Sequence, residues 1–298
     1  MEKISLREKY GSYFQELSKR SVAAAKIDET NVFQEANPET RKLISIVCKD
    51  AILPESYLNQ KENFKAFYDA ICQGKRGLIL MEHYTNLDLP QLCYLLEADS
   101  DWGKDLSSRI VAIAGMKLNE ADPFVRAYAE AFTRVVIYPT RSLEKAEGAA
   151  SSKEEALAEE VRARKINMAA MHAMDVCKRS GKPILVFPSG TRYRPGHPET
   201  KKGLREIDSY LRMFDVMILV TINGQGITID MEHPDDMLAD FVTPDKIVLT
   251  ASPVLNCKQF RKDVLASLPE DEADPKQKII DHVMEYFDKQ HNEVEKIR

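Results

Sequence analysis

The sequence lacks the features that define several common protein classes. No apolar run approaches the length of about 18 residues that a membrane-spanning helix needs, and the N-terminal segment MEKISLREKYGSYF has no apolar core of the kind found in secretory signals. The five cysteines form no C-x-x-C pair, which argues against a disulfide framework and against a zinc site. We therefore expect reduced thiols, a cytoplasmic location, no bound metal and at most peripheral contact with a membrane.

A net positive charge is also missing. The chain has 42 Lys and Arg residues against 47 Asp and Glu residues, which gives a formal net charge of −5. Nucleic-acid-binding domains usually carry a basic patch or stripe, so we expect no nucleic-acid partner. Any anionic substrate would have to be bound by a local cluster of cationic side chains.

Common nucleotide and hydrolase motifs are absent as well. No G-x-x-x-x-G-K-[ST] loop occurs, and the G-x-G-x-x-G pattern that begins at Gly224 fails because Ile229 stands at its last position. A serine-hydrolase elbow around Ser189 would need glycine two residues earlier, where the chain has Phe187. The chemistry must therefore come from other residues.

Composition and periodicity predict a folded protein in two parts. Hydrophobic residues make up 44% of the chain, as in ordinary globular proteins. Residues 1–75 carry only helical periodicity, and from Lys75 onward short apolar runs alternate with amphipathic stretches. We expect strands near residues 77–82, 109–114, 134–138, 183–187, 216–222 and 247–252. The expected helices lie near residues 86–98, 121–133, 153–180, 204–214, 258–268 and 275–294.

This alternation predicts an α/β fold with a largely parallel sheet flanked by helices. The strands are almost continuously apolar, which is typical of a sheet that is covered on both faces. The predicted organisation is an N-terminal helical domain over residues 1–75, followed by an α/β catalytic domain over residues 76–298.

The segment Glu82–Asp88 contains the first candidate site. His83 stands where the first strand should end, and Asp88 follows five residues later. We expect Thr85 or Asn86 to cap the next helix, so that Asp88 in its first turn can fold back onto one ring nitrogen of His83. The other nitrogen would then act as a general base. The alternative is an exposed strand-end histidine beside an aspartate that only stabilises a helix N-terminus.

A Pro- and Gly-containing loop forms the second candidate site. The apolar strand that ends at Phe187 leads into Pro188-Ser189-Gly190-Thr191-Arg192-Tyr193-Arg194-Pro195. In an extended loop Arg192 and Arg194 point the same way, and two guanidinium groups suit a phosphate. The alternative is a surface turn with solvated arginines. Arg141, which follows another predicted strand, is a third candidate cation.

Together these residues resemble the motifs of the glycerolipid acyltransferase superfamily. His83 and Asp88 match its H-x-x-x-x-D motif, and Arg141 matches the arginine that closes its second motif. The segment 187–192 resembles its F-P-E-G-T-R block, with Ser189 in place of Glu. The form P-S-G-x-R-x-R-P and the N-terminal helices are similar to the soluble glycerol-3-phosphate acyltransferases of the chloroplast-stroma type.

The resemblance implies a specific reaction and a role for each candidate residue. A fatty acyl group would move from an acyl thioester, on acyl carrier protein or coenzyme A, to the sn-1 hydroxyl of glycerol 3-phosphate. His83 would be the general base and Asp88 its orienting partner. The substrate-binding residues would be Arg141, Ser189, Gly190, Thr191, Arg192 and Arg194. No cofactor is implied, since the thiol carrier is a cosubstrate, and the location would be the cytoplasm, or the plastid stroma if a transit peptide has been removed.

Two other functions remain open at this point. A lysophosphatidate acyltransferase would use the same chemistry on a lipid acceptor. A non-catalytic module for phosphorylated ligands would keep the arginines but would not need His83 and Asp88.

Overall fold

The structure, a computed structural model, describes residues 4–120, 123–149, 152–234 and 236–298. Its contacts divide the chain into two compact units. Unit 1 comprises residues 1–9, 45–110 and 181–298, and unit 2 comprises residues 10–44 and 111–180. In the described ranges, no helix combines the length and the apolar character that crossing a bilayer requires.

Helices and strands alternate along most of the chain. The strands are β1 (Phe33–Gln34), β2 (Tyr57–Asn59), β3 (Gly77–Met81), β4 (Val111–Gly115), β5 (Arg134–Ile137), β6 (Ile184–Val186), β7 (Val216–Asn223), β8 (Ile227–Thr228), β9 (Phe241–Val242), β10 (Val248–Ala251) and β11 (Leu255–Asn256). The helices are α1 (Leu6–Arg20), α2 (Pro38–Ala51), α3 (Lys61–Cys72), α4 (Asp88–Asp99), α5 (Asp101–Arg109), α6 (Lys117–Glu120), α7 (Pro123–Ala129), α8 (Thr140–Ala149), α9 (Lys153–Arg179), α10 (Ile207–Met213), α11 (Cys257–Ser267) and α12 (Pro275–Glu295). A 3-10 turn spans Pro198–Lys201.

The sheet of unit 1 has the strand order β6-β3-β7-β10-β2, and β11 also pairs with β7. β3 runs parallel to β6 and to β7, with Ile79 opposite Leu185 on one side and Ile218 on the other. β10 runs antiparallel to β7 and parallel to β2. The carboxyl ends of β3, β6 and β7 therefore lie at the same edge of the sheet.

Helices cover this sheet closely. Every residue of β3 is buried. A Cβ atom at Gly77 would lie 2.8 Å from Phe67 and 2.9 Å from Ile71 of α3, so only glycine permits this approach. α12, which begins at Pro275 with Asp274 as its cap, donates a hydrogen bond from Gln290 to Thr221 of β7. The predicted α/β class, with a largely parallel sheet flanked by helices, is confirmed.

Unit 2 is built around β4 and β5, which run parallel, with β1 antiparallel to β5. Arg134 is 2% exposed, and its guanidinium donates to the carbonyl of Ala129 at 2.9 Å and to the side chain of Gln34. Burial lowers the pKa of Arg134 to about 10. Asn167 of α9 bonds to both the backbone N–H and the carbonyl of Tyr138, which anchors α9 to the end of β5.

The strands and long helices expected from the sequence are present, with a few additions. The additions include the short strands β1 and β2 within the region expected to be only helical, and the helices α5 and α8. Strands of two or three residues show no periodicity, so only their pairing partners reveal them. Residues 121 and 122, at the start of one predicted helix, lie outside the described residues.

The division by contacts differs from a boundary at residue 75. Residues 10–44 group with residues 111–180, and residues 45–110 group with residues 181–298. The parallel pairing of β2 with β10 is one of the long-range connections within unit 1. An independent N-terminal domain over residues 1–75 stays a prediction.

An ion pair links the residues that precede two central strands. Asp215, before β7, accepts hydrogen bonds from the backbone N–H, Nε and Nη2 of Arg76, before β3, at 2.9, 3.0 and 2.6 Å. These hydrogen bonds lower the pKa of Asp215 to about 2.

We expect Asp215→Asn to reduce the acid sensitivity of the fold. The pKa of Asp215 in the folded protein lies below that of an unfolded aspartate, about 3.9, so the carboxylate stabilises the fold above about pH 4. This contribution is lost as the pH falls from about 4 towards 2. Urea unfolding over this range should show a steeper loss of unfolding free energy in wild type than in Asp215→Asn. The exposed Asp271→Asn is the control, and equal slopes in wild type and Asp215→Asn would contradict this assignment.

Candidate active site

His83 and Asp88 form a pair across the turn between β3 and α4. His83 Nδ1 lies 2.9 Å from Asp88 Oδ2, and the two side chains are 18% and 1% exposed. Asp88 lies in the first turn of α4, as the sequence indicated, but the cap position is Leu87 rather than Thr85 or Asn86. The predicted pairing is therefore present, and its catalytic role stays a prediction.

The Asp88 carboxylate accepts several further hydrogen bonds. The backbone N–H of Tyr84 lies 2.6 Å from Oδ2, and Thr85 donates its N–H at 3.0 Å to Oδ2 and its hydroxyl at 2.9 Å to Oδ1. An ionised carboxylate can only accept hydrogen bonds, so an imidazole nitrogen that faces it is a donor. The proton of a neutral His83 ring therefore resides on Nδ1, which leaves Nε2 as an acceptor.

The loop after β6 packs directly on His83. The ring of Phe187 stacks on the His83 ring at a centroid distance of 4.0 Å and an interplanar angle of 15°. The backbone N–H of Tyr193 donates to the carbonyl of His83 at 2.7 Å. The two candidate segments are thus held together by one ring contact and one backbone hydrogen bond.

The Ser189–Thr191 segment forms a tight turn. Ser189 is 5% exposed, and its hydroxyl donates to the carbonyl of Thr191 at 2.7 Å. Gly190 has φ of +64°, and a Cβ atom at this position would lie 2.6 Å from Leu204 Cδ1. The positive φ therefore favours glycine, and any larger residue would also have to displace the Leu204 side chain.

Arg192 has two partners within the fold, and phosphate binding by its guanidinium stays a prediction. Its Nη1 lies 2.6 Å from Asp240 Oδ2, its Nη2 lies 3.1 Å from the carbonyl of Pro234, and its side chain is 10% exposed. Asp240 is fully buried, and this burial raises the pKa of its carboxyl group while Arg192 opposes the shift. The turn at Gly190 and a partner 48 residues away were not visible in the local pattern.

The other two arginines have different surroundings. The backbone N–H of Arg194 donates to Thr200 Oγ1 at 2.9 Å, and its side chain is partly buried. Arg141 belongs to unit 2, where it is exposed in the first turn of α8. Phosphate binding by either residue stays a prediction.

A second carboxylate–histidine pair, which the sequence analysis missed, involves Glu82 and His291 of α12. Glu82 Oε2 accepts the backbone N–H of Ile222 at 2.8 Å and lies 3.0 Å from His291 Nδ1, and its Oε1 accepts the Tyr84 hydroxyl at 3.0 Å. Burial, reinforced by the charge of Glu82, raises the pKa of Tyr84. Glutamate at the end of an apolar strand was the only local signal, and nothing nearby indicated His291.

Residues of both candidate segments line one cavity, whose empty space of about 260 Å³ includes open solvent. Its lining residues come from the end of β3, the loop after β6, the 3-10 turn and α12: Met81, Glu82, His83, Tyr84, Pro188, Ser189, Tyr193, Lys201 and Met284. Among the residues that the structure describes, no three His, Cys, Asp or Glu side chains are grouped so that they could hold a metal ion. The arrangement offers an oriented imidazole beside a small pocket.

The Acyltransferase family model matches residues 57–218. This span is more than half of the 298 residues and contains the His83–Asp88 pair and the loop after β6. The chain belongs to the Acyltransferase family. No curated protein matches this acyltransferase significantly.

One similar solved structure is the 1-acyl-sn-glycerophosphate (LPA) acyltransferase PlsC from Thermotoga maritima. It is 15% identical in sequence, and the alignment covers 94% of this acyltransferase and 88% of that chain with a TM-score of 0.42.

We expect Asp240→Asn to destabilise this acyltransferase strongly. The substitution leaves the buried guanidinium of Arg192 without its counter-ion, and breaking a buried pair in this way costs about 3–5 kcal/mol. Arg7→Ala is the control, because Arg7 and Asp236 form a pair at 2.7 Å whose side chains are 58% and 43% exposed. Such exposed pairs contribute at most about 1 kcal/mol. Urea unfolding of both variants measures the difference, and similar losses would refute a structural role for the Arg192–Asp240 pair.

Proposed function

We propose that this acyltransferase moves a fatty acyl group from an acyl thioester to the sn-1 hydroxyl of glycerol 3-phosphate. The observation that carries the proposal is the His83–Asp88 pair beside a small cavity in a chain of the Acyltransferase family. Glycerol 3-phosphate is proposed as the acceptor because the P-S-G-x-R-x-R-P form of residues 188–195 is similar to the soluble glycerol-3-phosphate acyltransferases.

The proposed step begins with proton transfer to His83. Nε2 of His83 accepts the proton of the acceptor hydroxyl as its oxygen attacks the thioester carbonyl carbon. Asp88 holds the ring in the required tautomer and stabilises the imidazolium that forms. The tetrahedral intermediate then collapses with cleavage of the C–S bond, and the leaving thiolate takes the proton from His83.

The loop after β6 contributes to the acceptor site in two ways in this proposal. Arg194 supplies a cationic group for the acceptor phosphate, and Ser189, Gly190 and Thr191 shape the turn beside His83. Arg192 acts indirectly, because its pairing with Asp240 fixes the loop that holds these residues.

The acyl donor in this proposal is acyl carrier protein or coenzyme A, and either one is a cosubstrate. The proposed step uses no metal and no resident cofactor. A cytoplasmic or stromal location with at most peripheral membrane contact is part of the same proposal.

We expect His83→Ala to abolish acyl transfer while the protein remains folded, because the base is lost from a partly exposed position. Asp88→Asn should retain weak activity, with kcat lowered by about 10⁴-fold, the scale seen when an orienting aspartate is replaced. Release of free thiol from an acyl thioester in the presence of glycerol 3-phosphate measures turnover, and circular dichroism checks folding. Turnover near the wild-type rate in folded His83→Ala would refute this mechanism.

The same assay separates the alternative functions. Lysophosphatidate in place of glycerol 3-phosphate tests the acyltransferase with a lipid acceptor. A protein that binds phosphorylated ligands but releases no thiol with either acceptor would be a binding module.

A further inference from the structure

Lys201 lines the same cavity as His83. It is the last residue of the 3-10 turn Pro198–Lys201, which follows the loop after β6. The motif residues did not indicate it, because it lies seven positions beyond Arg194, outside the P-S-G-x-R-x-R-P block.

The ammonium group of Lys201 is held by a contact that a ligand can replace. Its Nζ lies 2.5 Å from Asp288 Oδ1 of α12, and the two side chains are 34% and 52% exposed. Nζ also lies 5.9 Å from the centroid of the Tyr193 ring. Exposed ion pairs contribute little to stability, so an incoming dianion can take this ammonium while Asp288 turns to water.

Arg192, by contrast, has a buried partner. Its guanidinium faces a fully buried carboxylate, that of Asp240, and the carbonyl of Pro234. Moving this guanidinium to a ligand would leave the Asp240 charge buried without its partner, which is strongly unfavourable.

The other charged groups of the cavity also favour an anion at Lys201. Glu82 lines the cavity, and its oxygens contact Tyr84, the backbone N–H of Ile222 and His291. A phosphate is repelled by the Glu82 carboxylate and attracted by the Lys201 ammonium, which orients a short acceptor within the cavity.

We propose that Lys201 binds the phosphate monoester of the acceptor, which replaces Asp288 as the partner of the Lys201 ammonium group. This inference rests on the proposed function, since it assumes an acceptor that carries a phosphate monoester. Glycerol 3-phosphate and lysophosphatidate share this group, so both are covered. The role is substrate binding, and the step at His83 is unchanged.

The test compares Lys201→Ala and Lys201→Gln with wild type. A hydrogen bond to a charged group contributes about 1.5–3 kcal/mol, so kcat/KM for the phosphorylated acceptor should fall about 10- to 150-fold. The KM for the thioester donor should not change. Lys201→Arg should restore part of the acceptor affinity, because it keeps the charge.

The controls use neighbouring charges. Lys202→Ala removes an adjacent exposed ammonium that is not among the cavity residues, and we expect wild-type kinetics. Asp288→Asn removes the competing carboxylate, so the KM for the acceptor should stay constant or fall. Glycerol, which has no phosphate, should be used equally poorly by wild type and Lys201→Ala.

Calorimetric titration with glycerol 3-phosphate, without any thioester, distinguishes failure of this inference from failure of the proposed function. Acyl transfer by wild type with an unchanged acceptor KM in Lys201→Ala would overturn the Lys201 site and leave the function standing. Binding that is lost in Lys201→Ala, in a protein that transfers no acyl group, would support the site and refute the function. A KM that rises only with lysophosphatidate would support the site and identify the lipid acceptor.

Discussion

Parallel pairing of β3 with both β6 and β7 is the constraint on which the candidate site depends. The three strands end at one edge of the sheet, so the residues that follow them must meet there. His83 follows β3, Phe187 follows β6, and the 4.0 Å stack of their rings is the direct result. Ligands of open α/β sheets bind outside the carboxyl ends of the strands for the same geometric reason.

Three buried carboxylates at or near this edge have separate partners and separate tasks. Asp88 accepts from the turn after β3 and orients His83, and Glu82 connects that turn to His291. Asp240 holds Arg192 and thereby the loop after β6. Because each buried charge already has donors around it, a ligand cannot readily take over those donors. A ligand can more easily replace a carboxylate partner that is exposed, as Asp288 is in its pair with Lys201.

Much of the fold could be predicted from the sequence, because burial on both faces leaves a strong pattern. β3 and β7 are long apolar runs, and the amphipathic α9 and α12 were expected within one residue of their observed ends. β2 and β11 were not predicted, because a segment of two or three residues forms a strand only by pairing with another strand. Here β2 pairs with β10 and β11 pairs with β7. Within the site, the spacing of His83 and Asp88 across a strand-to-helix turn was sufficient to predict their contact.

The sequence by itself determined the α/β class, and the spacing of His83 and Asp88 indicated their contact, because both depend on neighbours within a few residues. Only the tertiary structure decided which cations face the cavity. Arg192 pairs with Asp240, His291 joins Glu82, and Lys201 meets Asp288. These partners lie 48, 209 and 87 positions apart. Charge interactions act through space, so the same arginine can bind substrate or hold a loop according to which carboxylate the fold brings beside it.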